Sequence, residues 1–155
     1  MEERKGAKEK VENLNKYERW DQRSRNYTRS FQIKYVPSSL CLEPTDGVGS
    51  KGSFVKLSSC LRKKKQSWYQ TARSEWVNAR MLCLDSSKDS VRLMKCHEAG
   101  GGQEWVTRPG HGDKSGLEAV YSPASGQCLM VRAGEVRMGL CGEGDTAVWR
   151  LVTLD

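Results

Sequence analysis

One pattern, V-[KR]-[LM]-x-x-C, occurs three times in this chain of 155 residues. It reads Val55-Lys56-Leu57 before Cys60, Val91-Arg92-Leu93 before Cys96, and Val136-Arg137-Met138 before Cys141. A threefold repeat limits the fold more than composition does, because a short unit that cannot bury its own apolar face must share a core with its siblings. The register runs beyond the motif. Each earlier cysteine (Cys41, Cys83, Cys128) is followed by a leucine, namely Leu42, Leu84 and Leu129. Each later cysteine is followed eight or nine residues on by a tryptophan: Trp68, Trp105 and Trp149. Gln66 and Gln103 stand two places before the first two of these tryptophans, and the earlier cysteines are 42 and 45 residues apart.

Within the motif, apolar and basic residues alternate, which puts Val and Leu on one face of a strand and the cation on the other. The runs at 31–36, 40–42 and 148–152 have similar character, and turn-rich stretches at 44–52, 86–90 and 139–145 lie between them. Each unit is therefore a few short strands. Three of them around an axis share one core filled by the repeated Val, Leu and Trp, a closed, barrel-like all-β domain without long free edges.

Six cysteines at these positions read as one disulfide inside each repeat: Cys41–Cys60, Cys83–Cys96 and Cys128–Cys141. Closing a loop of about 14 residues is worth roughly 3 kcal/mol in the chain-entropy model. Such bonds suit an oxidising compartment. The start, MEERKGAKEKVENLNKYERW, is charged throughout and does not read as a secretory signal. Two readings stay open: a piece of a longer protein of the secretory lumen or the cell exterior, or reduced core cysteines in a cytosolic chain. No run approaches membrane-span length, so a soluble, monomeric chain is expected.

The second unit carries Cys83-Leu84-Asp85, then Cys96-His97, then Gly101-Gly102-Gln103-Glu104-Trp105. With C-L near the start and Q-x-W near the end of units of about 40 residues, the chain resembles the ricin-type lectin β-trefoil. In form it is nearest to the C-terminal lectin domain of polypeptide N-acetylgalactosaminyltransferases. The resemblance covers residues 31–155, with repeats at 31–76, 77–115 and 116–155. It implies a non-catalytic module without cofactor that binds galactose- or N-acetylgalactosamine-type glycans, in which each repeat can hold one shallow sugar site. The resemblance places an acid after C-L, an aromatic residue two places before the second cysteine, a His after it and an Asn before Q-x-W.

On that scheme the second repeat offers Asp85, Met94, His97 and Gly102, so that the acid and His match while the ring and the Asn are lost. The first repeat offers Glu43, Ser58, Leu61 and Lys65, and the third Met130, Gly139, Gly142 and Thr146, which has nothing to hold a sugar. Sugar binding is therefore expected at Asp85 and His97. The alternative is that these two make structural turn contacts only. Trp68, Trp105 and Trp149 are expected in the core, with Gln66 and Gln103 bridging backbone groups.

The formal charge of +7 has one dense spot, Arg62-Lys63-Lys64-Lys65. It is a candidate anion patch for an acidic partner, and the alternative function is a degenerate trefoil acting as a protein- or polyanion-interaction module. Residues 1–30 carry nine Lys/Arg and six Asp/Glu. They read as a poorly ordered or weakly helical extension, with Val11, Leu14 and Glu18 on a thin face and a glycosylation sequon at Asn26-Tyr27-Thr28. Catalysis finds little support. His97 and His111 have no ligand pattern around them, C-x-x-C and G-x-S-x-G are absent, and the glycine triplet lacks the Lys-Ser/Thr of a phosphate loop, so no metal site is expected.

Overall fold

The computed structural model describes residues 27–87, 90–142 and 146–154. It contains twelve strands. They are β1 (Tyr27–Tyr35), β2 (Leu40–Pro44), β3 (Val55–Ser59), β4 (Trp68–Thr71), β5 (Trp76–Val77), β6 (Leu82–Asp85), β7 (Arg92–Lys95), β8 (Val106–Pro109), β9 (Glu118–Ser122), β10 (Gln127–Arg132), β11 (Glu135–Leu140) and β12 (Trp149–Thr153). Each repeat supplies four strands, so the first unit ends before β5 rather than through it. The sequon's Asn26 and the helix face proposed for Val11, Leu14 and Glu18 lie outside the described residues. Among the described residues no helix is long and apolar enough to cross a membrane.

β1 starts at Tyr27, ahead of the residue-31 start that apolar patterning indicated. The early part of the strand is held by backbone pairing rather than burial: Arg29 and Ser30 lie opposite Gln70 and Tyr69. Arg29 also donates from Nε and Nη2 to Gln70 Oε1 at 3.3 and 3.2 Å. Polar residues of this kind leave no period-2 signal.

The wall of the barrel is built from the antiparallel pairs β1–β12, β1–β4, β4–β5, β8–β9 and β9–β12. The hairpins β2–β3, β6–β7 and β10–β11 close one end. They meet through bridges between Phe54 and Arg92 and between Ser90 and Arg137. One side of the wall is thin. Among the described residues β5 and β8 share no ladder. The link there is the Trp105 N–H donating to the Ser74 carbonyl at 2.9 Å, with the Trp76 and Trp105 rings stacked at 5.9 Å.

The disulfides Cys41–Cys60, Cys83–Cys96 and Cys128–Cys141 staple the open ends of the three hairpins, with Cα–Cα distances of 5.0, 5.1 and 5.2 Å. The core contains Val55, Val91, Val136, Leu42, Leu84, Leu93 and Leu129 with Trp68, Trp76, Trp105 and Trp149. A buried indole N–H needs an acceptor. Trp68, Trp105 and Trp149 each donate to the carbonyl of the leucine after the first cysteine: Leu42 at 3.3 Å, Leu84 at 2.9 Å and Leu129 at 2.9 Å. That shared bond to a main-chain carbonyl explains the common spacing from the first cysteine to the distant Trp, and the leucine itself recurs because its side chain is buried in the core.

Candidate functional site

Asp85 closes β6 and is buried, and both its oxygens are engaged. Oδ1 accepts from the Ser87 main-chain N–H at 2.7 Å and Oδ2 from Gln103 Nε2 at 2.9 Å. Burial pushes this carboxyl upward, but hydrogen bonds from the side chain and main chain of Ser87 and from Gln103, with the nearby His97 charge, hold it below the ordinary carboxylate range. Gln103 is the hub. Its amide also donates to the Lys95 carbonyl at 2.9 Å, and its Oε1 accepts the His97 N–H at 3.1 Å. His97 itself is exposed, and its Nδ1 accepts the Ala99 N–H at 3.0 Å, which leaves Nε2 as the nitrogen free of that bond.

Of the four sequence-predicted positions in this repeat, Asp85 and His97 are thus joined through Gln103. Met94 is half-buried on β7, cross-strand from Cys83. Gly102 is covered. Its carbonyl accepts both the Ser86 N–H (2.9 Å) and the Ser86 hydroxyl (3.2 Å), and a Cβ built on it would lie 2.7 Å from Ser87 N. The 86–87 loop therefore occupies the space into which an Asn side chain at 102 would project. Nothing in the Ser86-Ser87-Lys88-Asp89-Ser90 stretch signalled this roof beforehand.

The first repeat repeats the hub with a different outcome. Glu43 is buried, and its Oε1 accepts from Gln66 Nε2 at 2.8 Å while Oε2 pairs with Lys65 Nζ at 3.1 Å. Here too burial raises the carboxyl, and the Gln66 and Lys65 hydrogen bonds with the Lys65 and Lys56 charges bring it below its usual value. Gln66 also donates to the Ser59 carbonyl (2.8 Å) and accepts the Leu61 N–H (2.7 Å). The four-cation run is thereby divided: Lys65 is committed to Glu43, whereas Arg62, Lys63 and Lys64 are exposed. Ser58 is half-buried and Leu61 exposed.

In the third repeat Met130 takes the acid's place and Ala147 the glutamine's, so the hub is gone. A Cβ on Gly139 would lie 2.6 Å from the Met130 methyl, so the thioether covers that glycine. Beside the Cys128–Cys141 bond a cleft of about 550 Å³ is lined by Arg108, His111, Lys114, Gly142, Thr146 and Ala147 among others.

Residues 29–149 match the model of the ricin-type β-trefoil lectin domain. The chain belongs to that family. This lectin domain is 34% identical over 126 residues to polypeptide N-acetylgalactosaminyltransferase 11 of Xenopus tropicalis, a match that covers 75% of the chain. The chain matches only 20% of the transferase's length. That fifth is the transferase's lectin portion, and a ricin-type lectin domain is a non-catalytic module. Among solved structures, the lectin domain is similar to a designed threefold-symmetric protein, ThreeFoil, with TM-score 0.66 and 22% identity over 81% of this chain and 99% of that one. It is also similar to GalNAc-T7 solved with UDP, GalNAc and Mn2+, with TM-score 0.65 and 17% identity over 81% of this chain and 22% of that one.

Proposed function

We propose that this lectin domain recognises galactose- or N-acetylgalactosamine-type sugars through its second repeat, as the glycan-reading part of a longer transferase-like protein of the secretory pathway. The observation that carries the reading is the state of the three acid positions. Asp85 is an ionised carboxylate held by neutral donors, Glu43 is neutralised by Lys65, and the third repeat has Met130 instead. A carboxylate oxygen has two acceptor directions, so Asp85 keeps capacity for sugar hydroxyls after binding Ser87 and Gln103. Charge-assisted bonds of this type are the stronger kind. His97 Nε2 serves as the second polar contact, and Met94 supplies apolar contact under the ring in place of an aromatic residue. A site with one carboxylate and no ring to stack on gives millimolar-range affinity.

Amide-resolved NMR titration tests this. N-acetylgalactosamine or galactose, but not glucose, shifts the resonances of Asp85, Met94 and His97. His97→Ala weakens the response about tenfold, by loss of an interaction worth roughly 1.4 kcal/mol. Absence of any shift with either sugar at millimolar concentrations sinks the proposal.

A further inference from the structure

The segment 56–66 contains five cations (Lys56, Arg62, Lys63, Lys64, Lys65) and no acid. Glu43, which this segment faces, is buried, lies cross-strand from Lys56 and is paired with Lys65. Arg62, Lys63 and Lys64 stay exposed. Among the described residues none of these three has an ion-pair partner.

The loop that presents them is ordered by its own bonds. The Leu61 N–H binds Gln66 Oε1 at 2.7 Å, and the Leu61 carbonyl accepts Gln32 Nε2 at 2.7 Å. The Lys63 carbonyl accepts both the Gln66 N–H (3.0 Å) and the Ser67 hydroxyl (3.3 Å). Anchoring of this kind removes part of the ordering cost that a mobile lysine loop would bear on binding. The place matters as much as the charge. Leu61 follows its cysteine as His97 does, and both N–H groups are bound by the Q-x-W glutamine, so this loop stands at the first-repeat equivalent of the rim proposed to meet sugar.

We propose that the first repeat carries a second glycan site of opposite polarity, in which Arg62, Lys63 and Lys64 take the sulfate or uronate groups of an acidic glycan and the exposed Leu61 touches a ring face. Glu43, which would repel such a ligand, is cancelled by Lys65. An acidic glycan fits better than nucleic acid. Base recognition on single strands uses exposed aromatic platforms beside the cations; Trp68, Trp76, Trp105 and Trp149 are buried, and the exposed Phe54 stands at the opposite end of β3 from Arg62, Lys63 and Lys64. The site is separate from the Asp85 hub and does not depend on it.

The test is calorimetric titration of the full chain with a heparin hexasaccharide (sulfate and uronate) and a hyaluronan hexasaccharide (uronate only), with polyglutamate and a single-stranded oligonucleotide as competitors. The heparin fragment binds, and its affinity falls steeply as salt rises from about 50 to about 200 mM. The triple variant R62S/K63S/K64S loses affinity by on the order of tenfold, since each exposed pair contributes a modest share. The control R80S/R132S, at exposed cations elsewhere, leaves it unchanged. Binding of heparin alone assigns sulfate, and binding of both fragments assigns the carboxylate. Salt-independent binding, an unaffected triple variant, or equal or tighter binding of polyglutamate or the oligonucleotide overturns the proposal. Because the triple variant keeps the His97 response to neutral sugar, failure here is distinguishable from failure of the second-repeat reading.

Discussion

Gly102→Ala isolates the roof over the second repeat. The glycine does not have a left-handed φ, so alanine brings no backbone strain, only a methyl group. That methyl would lie 2.6 Å from Ser87 Oγ, 2.7 Å from Ser87 N and 3.0 Å from Ser87 Cα, where ordinary contact begins at 3.4 Å. Two of the three atoms are backbone and cannot swing aside. Ser87 must retreat by about 0.7 Å, which takes its 2.7 Å bond to Asp85 beyond the useful range of about 3.2 Å. If the loop stays, the overlap costs about 1–3 kcal/mol. If it moves, a hydrogen bond to a charged group is lost, worth about 1.5–3 kcal/mol. Either route gives about 2 kcal/mol, a fall in Tm of roughly 4–8 °C for a domain of this size. Denaturant unfolding of the oxidised protein measures the loss, and the Ser87 amide resonance reports which route is taken. A loss under about 0.5 kcal/mol with an unmoved Ser87 amide would refute the reasoning.

Gly139→Ala makes the opposite case: its Cβ meets the flexible end of Met130, which can turn away, so stability changes by less than about 1 kcal/mol in the same unfolding assay. Gln103→Ala strips partners from Asp85, Lys95 and His97 and lowers stability by about 2–3 kcal/mol. Combined with Asp85→Met, which copies the third repeat's pair, it costs less than the sum of the single changes by about 1 kcal/mol, and strict additivity in the four-variant cycle would count against the hub. Glu43 and Asp85 have carboxyls depressed on folding from reference values of 4.5 and 3.8. Their contribution is therefore full above about pH 4.5 and is lost as pH falls through the lower folded values, so stability drops on acidification below pH 4. Glu43→Gln and Asp85→Asn flatten that limb of the stability profile, whereas a profile identical to wild type removes both carboxylates from the account.

The threefold frame was legible because its elements answer to one another across repeats. The V-[KR]-[LM] strands, the cysteine pairs and the leucine-to-tryptophan spacing each recur, and recurrence separates a structural requirement from chance. What lacked a counterpart stayed hidden. Trp76 is fully buried, with its ring 5.1 Å from Phe31 and 5.9 Å from Trp105, but no other repeat has a tryptophan there to mark it. The entry of Lys65 into the first repeat was visible from its aligned position; its capture of Glu43 required coordinates. The roof over Gly102 was beyond reach for a different reason: a Ser-Ser loop has no periodicity, and its path is set by bonds to Asp85 and Gly102 that only the folded chain brings together.

The glutamine–acid hub has a consequence for how such a domain can change over generations. A repeat that sheds its acid alone leaves a buried amide short of an acceptor, and one that sheds its glutamine alone leaves a buried carboxylate short of a donor. The third repeat, with Met130 and Ala147, has lost both. Either single reversion would pass through the less stable half-state, so a repeat without the pair is held in that state by a latch that the fold itself supplies. Intact hubs at Gln66–Glu43 and Gln103–Asp85 therefore mark the two repeats whose surrounding residues can change without passing through that half-state.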